Sequence, residues 1–433
     1  MLGVPGGELM VQRLSTLEAW LARLEQLHPS AIELGLDRVR RVRDTMGLAP
    51  DFPLIVVGGT NGKGSTCACL EAILGAAGYK TGLYTSPHLL RYNERVRIAG
   101  VESPDAELVA AFERIDAARG DTSLTYFEFG TLGAMAQFID AEVDVAILEV
   151  GLGGRLDAVN VFDADAAIVT SVDLDHMEYL GDTREKIGFE KAGIYRAGRP
   201  AICSEPAPPA SLLEHARHIG ADLRCADRDF SVQCEGDHWT FRGRETRWPA
   251  LPLPAMAGAY QLRNAAGALA ALEAVRVRLP VSEAAIRQGL AAARVPGRFQ
   301  RIARAPDVFL DVAHNPEAAR ALAATLREQP VSGRTLAVVG MLAGKDAAGV
   351  LAALSGEIDA WWACTPESPR AQDAVALAAV LRVQAGDVPV SVQPDVNAAL
   401  AEARGAAREG DRILVFGSFY TVAAVLDHAA TQQ

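Results

Sequence analysis

The stretch from Leu54 to Glu71 constrains this chain more than any other. An apolar run, Leu54-Ile55-Val56-Val57, passes into Gly58-Gly59-Thr60-Asn61-Gly62-Lys63-Gly64-Ser65-Thr66 and then into a helical pattern through Cys67, Leu70 and Leu74. A strand that ends in glycines and opens a helix leaves backbone N–H groups converging on one point, with the positive end of the helix behind them. Such a loop cradles phosphate. Lys63 is placed to reach the β- and γ-phosphates of a nucleotide, and the Ser65 hydroxyl to complete a Mg²⁺ shell whose other oxygens come mostly from water and phosphate. The usual loop has Ser or Thr directly after the lysine, whereas here Gly64 intervenes.

Composition narrows the partners. Half of the 433 residues are apolar and 22% are charged, enough for two or three domains with sizeable cores. A net charge of −12 argues against nucleic acid or an anionic membrane, either of which needs a dense basic face. An anionic substrate must then be held by a few local cations and metal ions. The six cysteines show no C-x-x-C spacing, which disfavours zinc or a disulfide framework and suits a reducing cytoplasm. No apolar run approaches the roughly 18–20 residues of a membrane span, and the first 30 residues lack the pattern of a signal peptide. Only five of the 42 basic residues are lysines (63, 80, 186, 191 and 345), so a lysine here marks a place where a primary amine matters.

Helical patterns cover 14–28, 104–118 and 260–278, and 229–248 alternates as antiparallel strands do. Val143–Val150 is a near-continuous apolar run that carries Glu149 at its end, followed by Gly151-Leu152-Gly153-Gly154-Arg155. It has the character of a buried parallel strand, and ligands of open α/β sheets sit just beyond such strand ends. Glu149 is therefore placed either to act on a ligand or to pair with Arg155. A second buried strand, Ala166–Ser171, feeds Val172-Asp173-Leu174-Asp175-His176. Pro296-Gly297 breaks the helical pattern of 283–293, and strands at 307–312, 335–341, 359–364, 389–392 and 412–417 then alternate with helices. The expected fold is α/β: a P-loop ATPase-type N-terminal domain over 1–296 and a smaller Rossmann-like C-terminal domain over 297–433. The second domain has no G-x-G-x-x-G, so dinucleotide binding is not indicated.

Several motifs extend the argument: G-T-N-G-K-G-S at 59–65, T-S-P-H-L-L-R-Y-N-E-R-V at 85–96, L-T-Y-F-E at 124–128 and E-V-G-L-G-G-R-L-D-A at 149–158. They continue with L-D-H at 174–176, E-K-A-G-I at 190–194, P-G-R-F-Q at 296–300, D-V-A-H-N-P at 311–316 and G-S-F-Y-T at 417–421. Together they resemble the folylpolyglutamate synthase and dihydrofolate synthase family of the Mur ligase superfamily, over nearly the whole chain and in the family's order. L-T-Y-F-E is similar to the bacterial bifunctional type. The resemblance implies an ATP-dependent ligase that phosphorylates a carboxylate of dihydropteroate or a folate and lets the amine of L-glutamate displace the phosphate. ATP is then the co-substrate and two Mg²⁺ ions the cofactor, with a cytoplasmic monomer expected. A monofunctional folylpolyglutamate synthase, a nucleotide-binding regulator and a cell-wall amino-acid ligase are the competing assignments.

Residue by residue, the resemblance implies that Ser86, Glu149 and His176 hold metal, with Ser65 as the other hydroxyl candidate. Lys191 matches a lysine carried as a carbamate, an anion where a free amine would repel Mg²⁺. Gly59, Thr60, Asn61, Gly62, Lys63, Gly64, Ser65, Asn264, Arg298 and Asp311 fall at nucleotide-contacting positions, Arg298 reaching from the hinge. Lys63, His176, Lys191 and Arg298 are the expected catalytic set. Ile32, Glu33, Leu34, Thr125, Tyr126, Phe127, Glu128, Leu156, Asp157 and Ala158 fall where a pterin binds, and His314 and Ser418 are candidates for the incoming glutamate. Simpler roles stay open at this point: a hydrogen-bonded loop histidine for His176, a surface pair with Glu190 or Glu185 for Lys191, and helix packing for Tyr126 and Phe127.

Overall fold

In the computed structural model, which describes residues 15–30 and 32–431, the apolar strand Leu54–Gly58 lies fully buried near the middle of an eight-stranded sheet. The strand order runs Val101–Glu102, Val96–Ile98, Thr81–Tyr84, Val145–Glu149, Leu54–Gly58, Ala166–Val169, Pro200–Cys203, Asp222–Cys225. The first two are antiparallel edge strands and the remaining pairings are parallel. Alternation along the central strand sends Ile55 and Val57 to one core and Leu54 and Val56 to the other, so both faces of the sheet are covered. Each such side chain contributes about 1.5–3 kcal/mol by leaving water.

Topology puts the site where it is. From Leu54–Gly58 the chain passes to Thr81–Tyr84, returns to fill the gap with Val145–Glu149, and then crosses to Ala166–Val169 on the other side. The strand order reverses around the central strand, and that switch point opens a crevice at the carboxyl ends. Register brings Glu149 beside Val57, directly under the loop 59–62. The helix Lys63–Ala76 follows, its first turn entered through Gly62 at φ 89°, a left-handed conformation glycine tolerates without strain. The helix Glu283–Ala292 crosses it so closely that a Cβ on Gly289 would lie 2.6 Å from the Ile73 amide nitrogen.

The strands Ser231–Glu235, His238–Arg242 and Arg247–Pro252 form a separate antiparallel sheet, in keeping with the alternation over 229–248. The third sheet has six strands in the order Gln300–Ala303, Asp307–Asp311, Arg412–Phe416, Thr335–Val339, Ala360–Cys364, Val390–Gln393. All its pairings are parallel except that of Gln300–Ala303, an antiparallel edge the sequence pattern did not announce. The strand expected over 335–341 ends at Val339. The first helix spans Leu17–Leu27, and Leu14 of the expected 14–28 falls outside the described residues. No helix among the described residues is long and apolar enough to cross a membrane.

Candidate active site

A cleft of about 930 Å³ is lined by the strand-end loops of both parallel sheets. On its floor the loop 59–65 is tied to the neighbouring strand end: the Thr60 and Asn61 amides donate to the Ser171 carbonyl and hydroxyl at 2.9 and 3.0 Å. Lys63 Nζ donates to the Gly59 and Thr60 carbonyls at 3.1 and 3.2 Å and has no salt bridge to a carboxylate among the described residues. Asn264 closes the side of the loop, its Oδ1 standing 2.4 Å from where a Cβ on Gly62 would be. From the hinge comes Arg298, whose buried Nη1 has no hydrogen-bond partner among the described residues and whose guanidinium lies 5.6 Å from the Phe419 ring centroid. Two cations with no salt bridge among the described residues, beside converging amides, form a receptor for an anion.

Glu149 is 5% exposed, and its Oε2 accepts the Ser86 amide at 3.2 Å. Burial pushes its pKa up, and Lys63, then Arg298 and Arg95, oppose that. Arg155 pairs instead with Glu190 at 2.8 Å, so the strand-end acid is not consumed by the neighbouring arginine. That same pair removes Glu190 as a partner for Lys191, and Glu185 caps the next helix through the Ala210 and Ser211 amides. Lys191 is therefore no surface lysine. It is 3% exposed, and burial together with Lys63 lowers its pKa to about 7, leaving much of it as the free amine at neutral pH. His176 stands at the cleft edge with its side chain 40% exposed, and partial burial lowers its pKa, so it is neutral at pH 7. Asp311 lines the cleft but also braces the hinge, accepting the Phe299 and Ala313 amides at 2.8 Å each.

The remaining expected residues gather at the two ends of the same cleft. Ile32, Glu33, Leu34, Thr125, Phe127, Glu128, Leu156, Asp157 and Ala158 line one end. Asp157 accepts the Leu152 and Val159 amides at 2.8 and 3.1 Å, and burial raises its pKa to about 7. Tyr126 does not line the cavity: its ring packs edge-on against Tyr92, 5.8 Å between centroids, under the Arg95 guanidinium. Glu128 spends its carboxylate on the Thr125 amide at 2.7 Å and on Arg38 at 3.1 Å, closing the first turn of the helix Tyr126–Asp140. At the other end His314 and Ser418 line the wall, but the Ser418 hydroxyl is bonded to Thr421 at 2.7 Å and serves its own helix.

Two family models match the chain: the Mur ligase middle domain over residues 57–203 and the Mur ligase glutamate ligase domain over residues 297–419. The dihydrofolate synthase/folylpolyglutamate synthase of Escherichia coli (strain K12) is 48% identical over 417 residues, 96% of each chain. A solved structure of E. coli FolC in complex with DHPP and ADP superposes with a TM-score of 0.93 at 46% identity, covering 97% of this chain and 99% of that one. The chain belongs to the dihydrofolate synthase/folylpolyglutamate synthase family. A Yersinia pestis bifunctional folylpolyglutamate synthase/dihydrofolate synthase complexed with AMPPNP and Mn ion is 48% identical, with a TM-score of 0.90 over 98% of this chain and 99% of that one.

The donor set of this family member suits a divalent cation of the magnesium type. Among the described residues no three His, Cys, Asp or Glu side chains are close enough to enclose a metal by themselves. Mg²⁺ asks for no such cage, since it keeps most of its oxygens from water and nucleotide phosphate and takes one or two from protein. Glu149 is a buried carboxylate held by a single amide, with the Ser65 and Ser86 residues in the same cleft. Several cleft residues carried no role from sequence, among them Arg95, Glu317, Asp175 and Lys345. Arg95 has no salt bridge to a carboxylate among the described residues and donates to His88 Nδ1 at 2.8 Å, while Glu317 accepts the Asn61 side-chain amide at 2.6 Å across the cleft. Asp175 and Lys345 meet at 2.7 Å. The lysine scarcity already singled out Lys345, and Asp175 sits inside L-D-H, but nothing local in either segment announces their contact.

Proposed function

We propose that this chain is an ATP-dependent ligase that adds L-glutamate to dihydropteroate, giving dihydrofolate, and then to folates, giving folylpolyglutamates. What carries this is the meeting, in one cleft, of a phosphate loop, two cations with no salt bridge among the described residues and a buried low-pKa lysine with an apolar end that carries a buried acid. The loop amides 59–65, Lys63 and Arg298 would hold the triphosphate, with Asn264 and Asp311 along the nucleoside. Ser65, Ser86, Glu149 and His176 would hold two Mg²⁺ ions, which supply charge neutralisation between two anionic reactants. A carboxylate is a poor electrophile and its mixed anhydride with phosphate a good one. The residues' task is to bring the substrate carboxylate in line with the γ-phosphate and to stabilise the charge that develops there. His314 and Ser418 would face the incoming glutamate. In this account residues 1–296 carry the phosphate loop and the pterin end, and 297–433 supply the glutamate side and part of the ATP site, in a cytoplasmic monomer. All six cysteines are free thiols, as a reducing compartment requires.

The deciding assay is phosphate release by the purified chain with ATP, Mg²⁺ and glutamate, with dihydropteroate or tetrahydrofolate as acceptor. Release with both supports the bifunctional enzyme. Release with the folate alone makes it a monofunctional folylpolyglutamate synthase, and release with neither removes the ligase assignment.

Asp157 gives this proposal a pH signature. The flat pterin ring presents N–H donors; a carboxylate accepts them at both oxygens, whereas a carboxylic acid turns one of those oxygens into a donor that opposes a ring N–H. With its pKa near 7, Asp157 loses its two-oxygen acceptor form as pH falls through that value. The dihydropteroate KM is therefore expected to rise about tenfold between about pH 8 and about pH 6. Asp157→Asn should flatten the profile, and a flat profile in the unsubstituted enzyme would take Asp157 out of pterin binding.

A further inference from the structure

One carboxylate of the first sheet's loops takes three groups from the second parallel sheet. Lys345 Nζ stands 2.7 Å from Asp175 Oδ1, Asn315 Nδ2 donates to Oδ2 at 3.3 Å, and His314 Nε2 lies 4.0 Å from Oδ2. The Asp175 and Lys345 side chains are 14% and 15% exposed, so this is not a solvent-screened surface pair, and removing either partner strands the other's charge in the cleft. Asp175 also accepts the backbone amide of His176 at 2.9 Å, joining the imidazole's own segment to the same cluster. Further contacts run along the seam: Arg320 to Asp173 at 2.8 Å, and Asn61 and Ser171 to Glu317 at 2.6 and 3.3 Å.

We propose that Asp175 is the positioning residue for glutamate capture. By neutralising Lys345 and holding the His314-Asn315 turn, it seats the glutamate side of the cleft against the His176 segment, where the amine must meet the activated carboxylate. This rests on the ligase function proposed above. The alternative use of Lys345, as a free cation for a glutamate carboxylate, has the opposite consequence when Asp175 is removed, because an unpaired lysine would then hold glutamate more tightly.

The test is steady-state kinetics of phosphate release by full-length Asp175→Asn, Asp175→Glu, Lys345→Met and the double variant Asp175→Asn/Lys345→Met. Asp175→Asn is expected to raise the glutamate KM about tenfold or more while the ATP KM moves by less than about threefold, and Asp175→Glu to recover part of the loss. Lys345→Met should reproduce the part of the effect that runs through the lysine, and the double variant should be no worse than Asp175→Asn alone, since both changes break the shared Asp175–Lys345 contact. Thermal melting of each variant confirms that the chain has folded. An unchanged or lowered glutamate KM in Asp175→Asn, parallel rises for ATP and glutamate, or additive losses in the double variant would each overturn the proposal while the unsubstituted enzyme stays active. No glutamate-dependent release from the unsubstituted chain would overturn the ligase assignment and this proposal together.

Discussion

Lys63→Met is expected to lower glutamate-dependent phosphate release by about 10²–10³-fold, the usual cost of removing one group that stabilises developing charge. Lys63 Nζ bonds two carbonyls of its own loop and makes no salt bridge among the described residues, so the loss falls chiefly on the reaction. It is also the first charge that opposes the upward pKa shift of buried Glu149. Without it that carboxylate shifts further toward its protonated form and becomes a poorer metal ligand, so the Mg²⁺ concentration for half-maximal rate should rise as well. Phosphate release measured across a Mg²⁺ series reads both effects. A variant within about tenfold of the unsubstituted enzyme would mean that the loop amides alone manage the phosphates.

Lys191→Arg is expected to leave the chain folded and remove most of its activity, about 10²-fold or more. Carbamylation joins the neutral amine to CO₂ with loss of a proton, and a guanidinium, charged at every accessible pH, does not undergo it. The surroundings of Lys191 favour the reaction: it is buried, it has no ion pair among the described residues, and its pKa near 7 supplies the free amine. The pH dependence has a definite sign. Below about pH 7 the amine is protonated and no longer available to form a carbamate, so activity should fall on the acid side, and added bicarbonate should restore part of it there. Turnover of Lys191→Arg equal to that of the unsubstituted chain, or indifference to bicarbonate, would leave Lys191 a structural amine.

Both predictions concern lysines in a chain of net charge −12. The charge balance of the whole chain says little about the cleft, where Lys63, Arg95 and Arg298 form no salt bridge with a carboxylate among the described residues. Cations left free to turn to a ligand are what two anionic reactants need.

What the linear chain determined by itself was everything that depends on neighbours in sequence: the strand, glycine loop and helix at 54–76, Glu149 at the end of an apolar run, and the break at Pro296-Gly297. These rest on periodicity and backbone freedom, which act over a few residues. Partnership was decided only by the tertiary structure. Glu128, expected to face a ligand, is held by Arg38 from 90 residues away. Tyr126 turns from the cavity toward Tyr92, and Arg155 leaves Glu149 for Glu190. Asp175 and Lys345, 170 residues apart, touch because the strand-end loops of two different sheets meet across the cleft. A side chain's burial and its counter-ion follow from the order in which strands are laid into a sheet, and no stretch of sequence contains that order.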